Sequence, residues 1–446
     1  MTVTAVQVRN LLNVFDSMVR NNLVSAGMVT WNPHSAQMND RNGLSVQVQK
    51  DPEFVVTKTT GGVVDLTSAY QSRAFGAETF NLNESYGVSF SASDFEELKT
   101  LNDMKRSRSL RNGAARMATV IDKAIMQVAV EAFPYSTGTW GQVIDDPDEF
   151  ASARTRLAEL SLESDMDLMA ALTHADNQKL AKYLFNDNAS LTALGPSALR
   201  KGFRGMLDGV PIKTSNQLGR ITCGSRTNGT VAGASQNVNY TAASDAGANA
   251  GYYLSQNFNV AGLGAGGTVK KGEVFSITTG TAVNSYDADA NHDRGFLQQF
   301  VVLEDATADT SGAATLRIWP AIIVGDGTTA SGTAGINNAH RTVTAAPANG
   351  ATVTWLGTAS TEYIPRIMFR KDAVVVHTAP LIMPYSGRAY RRELADVPER
   401  DGTIPLMPRI WFDSTHATGD HFCRIDVVVQ AQPADRGKGI KFFGTA

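Results

Sequence analysis

The chain has 446 residues, 43% hydrophobic and 19% charged, with a formal net charge of −3. That length exceeds what one compact core accommodates and implies two to four domains. The near balance of 40 basic and 43 acidic residues excludes a dedicated nucleic-acid-binding module, which needs Lys and Arg in excess of nearby carboxylates, although enclosing DNA without tight binding is compatible with it. Cys223 and Cys423 fit no zinc or redox spacing, and no disulfide between them is expected. No apolar run nears the ~20 residues that span a bilayer, and the N-terminus lacks the basic start and apolar block of a signal peptide. Synthesis in a reducing cytoplasm, with no membrane partner, is the expectation.

Ala5, Val8, Leu11, Leu12, Phe15, Met18, Val19 and Leu23 recur mostly at three- and four-residue intervals. They form one face of a helix that Gly27 ends. Such a face must lie against something, and a neighbouring copy is the expected shelter. Asp16 on this helix reads as a solvent-facing acid, because acids are rarely buried unless paired.

Strict alternation over residues 44–49 reads as a strand with one buried face, with residues 78–83 and 86–91 as its expected partners. Residues 50–77 between them carry mixed charges and Thr59-Thr60-Gly61-Gly62, the pattern of a long two-stranded arm with a loose tip. A lone ribbon is marginally stable in water, so this one is expected to lean on another surface.

Ser93 with Glu96 is a capping box for a short helix. A helix of about 30 residues and about 45 Å follows, from about Asp103 to Phe133, stopped by Pro134. Its stripe is Met117, Ile121, Ala124, Ile125, Val128 and Ala132. Asp122 falls on the opposite, polar side, and Gly113 is a weak point. Asp146-Pro147-Asp148-Glu149 starts another helix with an N-cap acid, proline at the first position and acids at the positive end of the dipole. Residues 166–172 read as a covered strand, and Thr173 with Asp176 caps a further helix ending near Phe185.

From about residue 218 to 365 the chain turns rich in Gly, Ala, Ser, Thr and Asn, with short β-type runs such as Val274-Phe275-Ser276-Ile277 and Leu316-Arg317-Ile318-Trp319. Short strands with Gly-rich turns imply a separate β-barrel or sandwich, able to fold alone. Strongly buried strands resume at residues 373–376 and 425–429, so the β-rich block is inserted into an α/β domain.

Residues 262–267 (Gly-Leu-Gly-Ala-Gly-Gly) match a dinucleotide-binding pattern that works only before a helix N-terminus. A strand follows here, and the segment reads as a loop. The densest polar cluster, His416 and His421 with Asp413 and Asp420, reads as a solvated turn and not a metal site. No catalytic residue, metal or cofactor is expected.

Cys423-Arg424-Ile425, the apolar strand to Val429, Pro433-Ala434 and Gly437, Gly439 and Gly444 resemble the close of the coat protein of short-tailed lambdoid phages. In collinear order, Val64-Asp65-Leu66-Thr67, the run from Phe90 through Asp94-Phe95, and residues 269–277 are also similar to segments of that family. The resemblance implies an α+β, HK97-like capsid fold with an inserted all-β barrel. Its expected parts are an N-terminal arm (1–40), an E-loop ribbon (41–91) and a peripheral domain with a spine helix (92–145). The first part of the axial domain (146–217), the barrel (218–365) and a return through axial and peripheral domains (366–446) follow. It also implies a non-enzymatic major capsid protein, made in the host cytoplasm and found in the virion, that assembles with itself into pentamers and hexamers of an icosahedral head. Its other partners would be a scaffolding protein and a portal protein, and the shell would enclose DNA without sequence-specific binding.

Residue by residue, Asp16 resembles the family's scaffold-contacting acid. Asn239, Tyr240, Asp245 and Asn249 fall in the stretch resembling its inter-capsomer loop, which here has little charge beyond Asp245. Lys50, Lys58 and Arg73 fall on the E-loop, where no covalent cross-link is expected. An encapsulin-like nanocompartment shell and, from another class, a β-rich carbohydrate-binding or hydrolytic protein are the alternatives.

Overall fold

The apolar spacing of the leading segment produces α1 (Ala5–Asn22), with Arg20 in its last turn, where a cation meets the negative end of the helix dipole. The computed structural model describes residues 5–36, 38, 44–50, 76–91, 107–160, 167–188, 205–240, 252–278, 283–288, 290–325, 337–383, 388–391, 404–414 and 421–445. In it Leu11, Leu12, Phe15, Val19 and Leu23 are all buried. What buries them is the same chain. They lie along the long helix α2 (Arg108–Ala132), and Phe15 meets Phe90 edge-on at 6.5 Å. The expectation that a neighbouring copy shelters this helix is therefore corrected, because the subunit's own long helix presents a matching apolar stripe.

α2 begins at an N-cap, Ser107, whose side chain accepts from the Leu110 amide at 3.3 Å. This start is later than the expected Asp103, and the Ser93–Glu96 box lies outside the described residues. Met117, Ile121, Ile125 and Ala132 of the expected stripe are buried. Gly113 does not break the helix. The ring of Phe90 and the side chain of Val88 press on it where a Cβ would stand, so the glycine admits a strand to close approach. Asp122 departs from its expected polar side: it is buried and accepts from the backbone amides of Val24 at 2.9 Å and Ser25 at 3.0 Å, and from the Ser25 hydroxyl. It caps the turn after α1.

Next come β1 (Thr30–Pro33) and a ribbon in which β2 (Leu44–Lys50) pairs antiparallel with β3 (Gly76–Leu82), Val46 opposite Phe80. β4 (Ser85–Ser91) was expected beside this ribbon. It pairs instead with a strand near the C-terminus, Val88 opposite Ile425.

β5 (Tyr135–Thr137), α3 (Pro147–Glu159), β6 (Leu168–Leu172), α4 (His174–Asn188), β7 (Met206–Leu207) and β8 (Val210–Thr214) form the α/β block. The Asp146 side chain accepts from the Asp148 amide at 2.9 Å, fulfilling its N-cap role. Six further strands close into a barrel: β9 (Gly229–Val231), β10 (Gln256–Ala261), β11 (Val274–Ile277), β12 (Gln299–Val302), β13 (Ala314–Trp319) and β14 (Thr352–Trp355), joined in the order β9-β10-β13-β12-β11-β14. The barrel has its own core, including Phe258, Phe275, Phe300, Ile318 and Val353, so closure removes exposed edges while the inward residues pack on one another.

The chain then returns through β15 (Arg366–Arg370), β16 (Val374–Thr378), β17 (Arg388–Arg391), β18 (Arg409–Ser414), β19 (His421–Val428), β20 (Gln430–Pro433) and β21 (Gly439–Phe442). These strands complete a six-stranded sheet β5-β21-β15-β6-β8-β7, a four-stranded sheet β17-β18-β19-β4 and a three-stranded sheet β1-β16-β20. The fold is α+β with an inserted closed barrel, as expected.

Candidate assembly surfaces

Asp16 is the first residue singled out by sequence. It is only 5% exposed and holds Arg20 at 2.7 Å, one helical turn on. Its solvent-facing reading is thus corrected: the pairing that permits burial of an acid is present. On another side of α1, Met18, Asn21 and Asn22 with Arg111, Asn112 and Ala115 of α2 line an open cleft of about 380 Å³.

The base of the ribbon is fixed by two buried polar contacts. Glu78, on the inward side of β3, binds Arg436 through both carboxylate oxygens at 2.7 and 3.2 Å, and both residues are buried. The Arg436 guanidinium also lies 5.4 Å from the Tyr252 ring. Two residues along β3, the Phe80 ring meets His377 at 4.6 Å, and His377 Nδ1 lies 2.8 Å from His34 Nε2. Burial, and second the proximity of His34, pull the His377 imidazole down to about 4. It is neutral at pH 7. One ribbon strand is therefore tied to residues before β2 and to residues near the C-terminus. Lys50 closes β2 by pairing with Gly76, while Lys58 and Arg73 lie outside the described residues, as do residues 64–67.

The barrel meets the α/β core through a polar joint that sequence did not reveal. Arg226 donates to Glu273 at 2.7 Å and to the Gly357 carbonyl at 3.0 Å, and its guanidinium stacks 4.0 Å from the Trp355 ring. Glu273 also accepts from the amides of Gly224 and Lys270. Gly272, with φ +88°, makes the turn that aims its carbonyl at the fully buried Lys441 ammonium, 2.7 Å away. Burial pulls Lys441 down to about 7, a large depression caused by desolvation of the charged form. Burial and the neighbouring Glu273 push the Cys223 thiol up to about 12, so this free cysteine is held as a neutral thiol.

At the expected inter-capsomer loop, the structure describes only the root. The Tyr240 ring stacks on His340 at 3.6 Å, its amide donates to Asn337 Oδ1 at 2.8 Å, and its hydroxyl lies 3.1 Å from that of Tyr253. Asn239 accepts from the Asn337 side-chain amide at 3.1 Å. Tyr240 is buried, so it anchors the root and offers no free surface. Asp245 and Asn249 lie outside the described residues.

The chemistry weighed on sequence takes simple forms. Gly262, Gly264 and Gly266 adopt positive φ in a turn that leads to the β pairing of Thr268–Val269 with Ala306–Thr307, with no helix N-terminus to receive a phosphate. His421 and Asp413 stand opposite neighbouring positions of the β18–β19 pair, while His416 and Asp420 lie outside the described residues. Among the described residues no group of three or more His, Cys, Asp or Glu is placed to hold a metal, and no helix is long and apolar enough to cross a membrane.

Residues 2–390 match the family P22 coat protein, gene protein 5. The chain belongs to that family. This coat protein is a structural major capsid protein, a component of the virion and not an enzyme. No curated protein matches it. Solved structures with similarity to the coat protein include the capsid of cyanophage P-SCSP1u, 9% identical over 94% of this chain and 86% of that one, with a TM-score of 0.40. The capsid of an empty GTA particle is 9% identical over 95% and 96%, with a TM-score of 0.40. The capsid of Ralstonia phage GP4 is 8% identical over 95% and 88%, with a TM-score of 0.38.

Proposed function

We propose that this coat protein builds an icosahedral head in the HK97-like manner, as pentamers and hexamers that enclose double-stranded DNA. In this reading β2–β3 is the base of the E-loop, α2 is the spine helix of a peripheral domain with β4 and β17–β19, and the six-stranded sheet is the axial domain. The barrel is the inserted domain within the span 218–365. The observation that carries the reading is the ribbon: two strands that pair only with each other among the described residues, with a base held by Glu78–Arg436. Two strands alone are marginal in water. A neighbouring subunit's surface supplies the further support such a ribbon needs, and a closed lattice multiplies such modest contacts.

Scaffolding and portal proteins complete the set of partners. Asp16 contacts the scaffold by exchanging its Arg20 partner for a basic residue of that protein, since its carboxylate is paired in the subunit. The 239–251 stretch bridges capsomers through backbone and polar groups, braced at Tyr240, and the ribbon lysines form no covalent link. Electron microscopy of the chain co-expressed with its scaffold tests the reading: closed shells are expected, and monodisperse monomers alone contradict it.

A further inference from the structure

The overall charge balance conceals a segregation on α2. Three sides of this helix are covered, by α1, β4 and β20. Among the described residues the fourth side is open, and it carries Arg108, Arg111, Arg116 and Lys123 together with Asn112 and Thr119, all exposed. At 1.5 Å per residue the four cations extend over about 22 Å of helix. No acid interrupts them: Asp122 is turned inward onto Val24 and Ser25, and Glu131, at the far end, holds Lys271 at 2.9 Å. Arg108, Arg116 and Lys123 make no hydrogen bond or ion pair among the described residues.

The first turn makes the pattern more telling. It contains no acid, and Arg108 and Arg111 stand at the positive end of the helix dipole. Cations there oppose helix stability. α3 of the same chain does the opposite, with Asp146 as its cap and Asp148 and Glu149 in its first turn. Arg108, which breaks this local rule and makes no hydrogen bond or ion pair among the described residues, points to a use outside the subunit.

We propose that the open face of α2 is a contact strip for the phosphate backbone of duplex DNA. The inference rests on the reading of the chain as a shell that encloses DNA. A protein partner would call for an apolar centre with aromatic or aliphatic anchors, and the only large exposed hydrophobic on this face is Val120. Phosphates need no such anchor. They need cations on a rigid support with amide and hydroxyl donors between them, and α2 is rigid because it is clamped on three sides. Three or four phosphate contacts per subunit bind weakly. Repetition over a shell makes the strip a diffuse, salt-sensitive lining that orders DNA without reading its sequence.

The test uses the full-length subunit, a short labelled DNA duplex and fluorescence anisotropy, with the variant Arg108→Gln/Arg116→Gln/Lys123→Gln. For the native chain, affinity should fall about 40- to 150-fold between about 50 and about 200 mM salt. The variant should bind at least about 10-fold more weakly at low salt, with the log–log salt slope reduced by about 3. Its melting temperature should be unchanged or raised, since the dipole conflict is relieved, and this separates the strip from a structural role. Equal affinity and slope in the two proteins would overturn the proposal. So would polyglutamate binding as tightly as DNA and being lost in the same variant, which would assign the strip to an acidic protein. Shell formation, scored in parallel by electron microscopy, is a separate readout: DNA binding without shells would sink the proposed icosahedral head and leave the strip standing.

Discussion

Replacing Arg436 by leucine tests how the ribbon is held. The substitution removes both hydrogen bonds to Glu78 and the contact with Tyr252, leaving a carboxylate that is 1% exposed with its principal cation gone. Breaking a buried pair from one side costs about 3–5 kcal/mol, because the remaining charge is uncompensated, whereas replacing both partners by apolar groups is often near neutral. Glu78→Leu and Arg436→Leu should therefore each destabilise strongly, and the double variant should be clearly more stable than the sum of the two predicts. Urea unfolding of the monomeric subunit gives the cycle, and amide exchange over residues 76–82 localises it, since a multidomain chain need not unfold in one step. Additive single effects, or unchanged exchange in β3, would refute the view that this pair fastens the ribbon.

The other predictions concern pH and packing. Burial holds His340 and His377 down at about 4, against 6.5 when free. Between those values the unfolded chain binds more protons, so stability is complete above pH 6.5 and falls as pH drops towards 4, by up to about 1.4 kcal/mol per pH unit for each histidine. Unfolding midpoints from pH 7 to pH 4.5 should show this slope, and it should flatten in His340→Gln/His377→Gln. Asp122→Ala strips the acceptor from two amides and a hydroxyl after α1 and should cost at least about 1–3 kcal/mol in thermal melts. Gly113→Ala gains about 1 kcal/mol of helix propensity, but its methyl meets the Phe90 ring in a filled core, where overpacking costs about 1–3 kcal/mol. A net loss of stability is expected, and a gain would contradict the close packing of β4 on α2.

Periodicity and punctuation made much of this fold legible. The α1 stripe, the Asp146 and Thr173 caps, the β2–β3 alternation and the change of composition near residue 218 are local signals, and each corresponds to an element. What sequence could not show was which surface meets which. An amphipathic stripe states that α1 must be covered, not that α2 of the same chain covers it, and alternation in residues 85–91 does not say that the pairing strand lies more than 300 residues away. Asp122 looked polar-facing on helical spacing, yet a turn brought two amides to it. The buried pairs Glu78–Arg436, Asp176–Arg366 and Arg226–Glu273 join distant segments and leave no mark at short range. Arg366 was hidden in this way, though Asp176 was visible as a cap: both carboxylate oxygens of Asp176 accept from Arg366 at 2.7 Å.

Cryo-electron microscopy of assembled shells tests the central claim most directly. The map is predicted to show α1 still lying on its own α2, the Glu78–Arg436 base intact, and residues 51–75 laid across an adjacent subunit. A map in which that segment folds onto its own subunit and touches no neighbour would contradict the account of how the coat holds together.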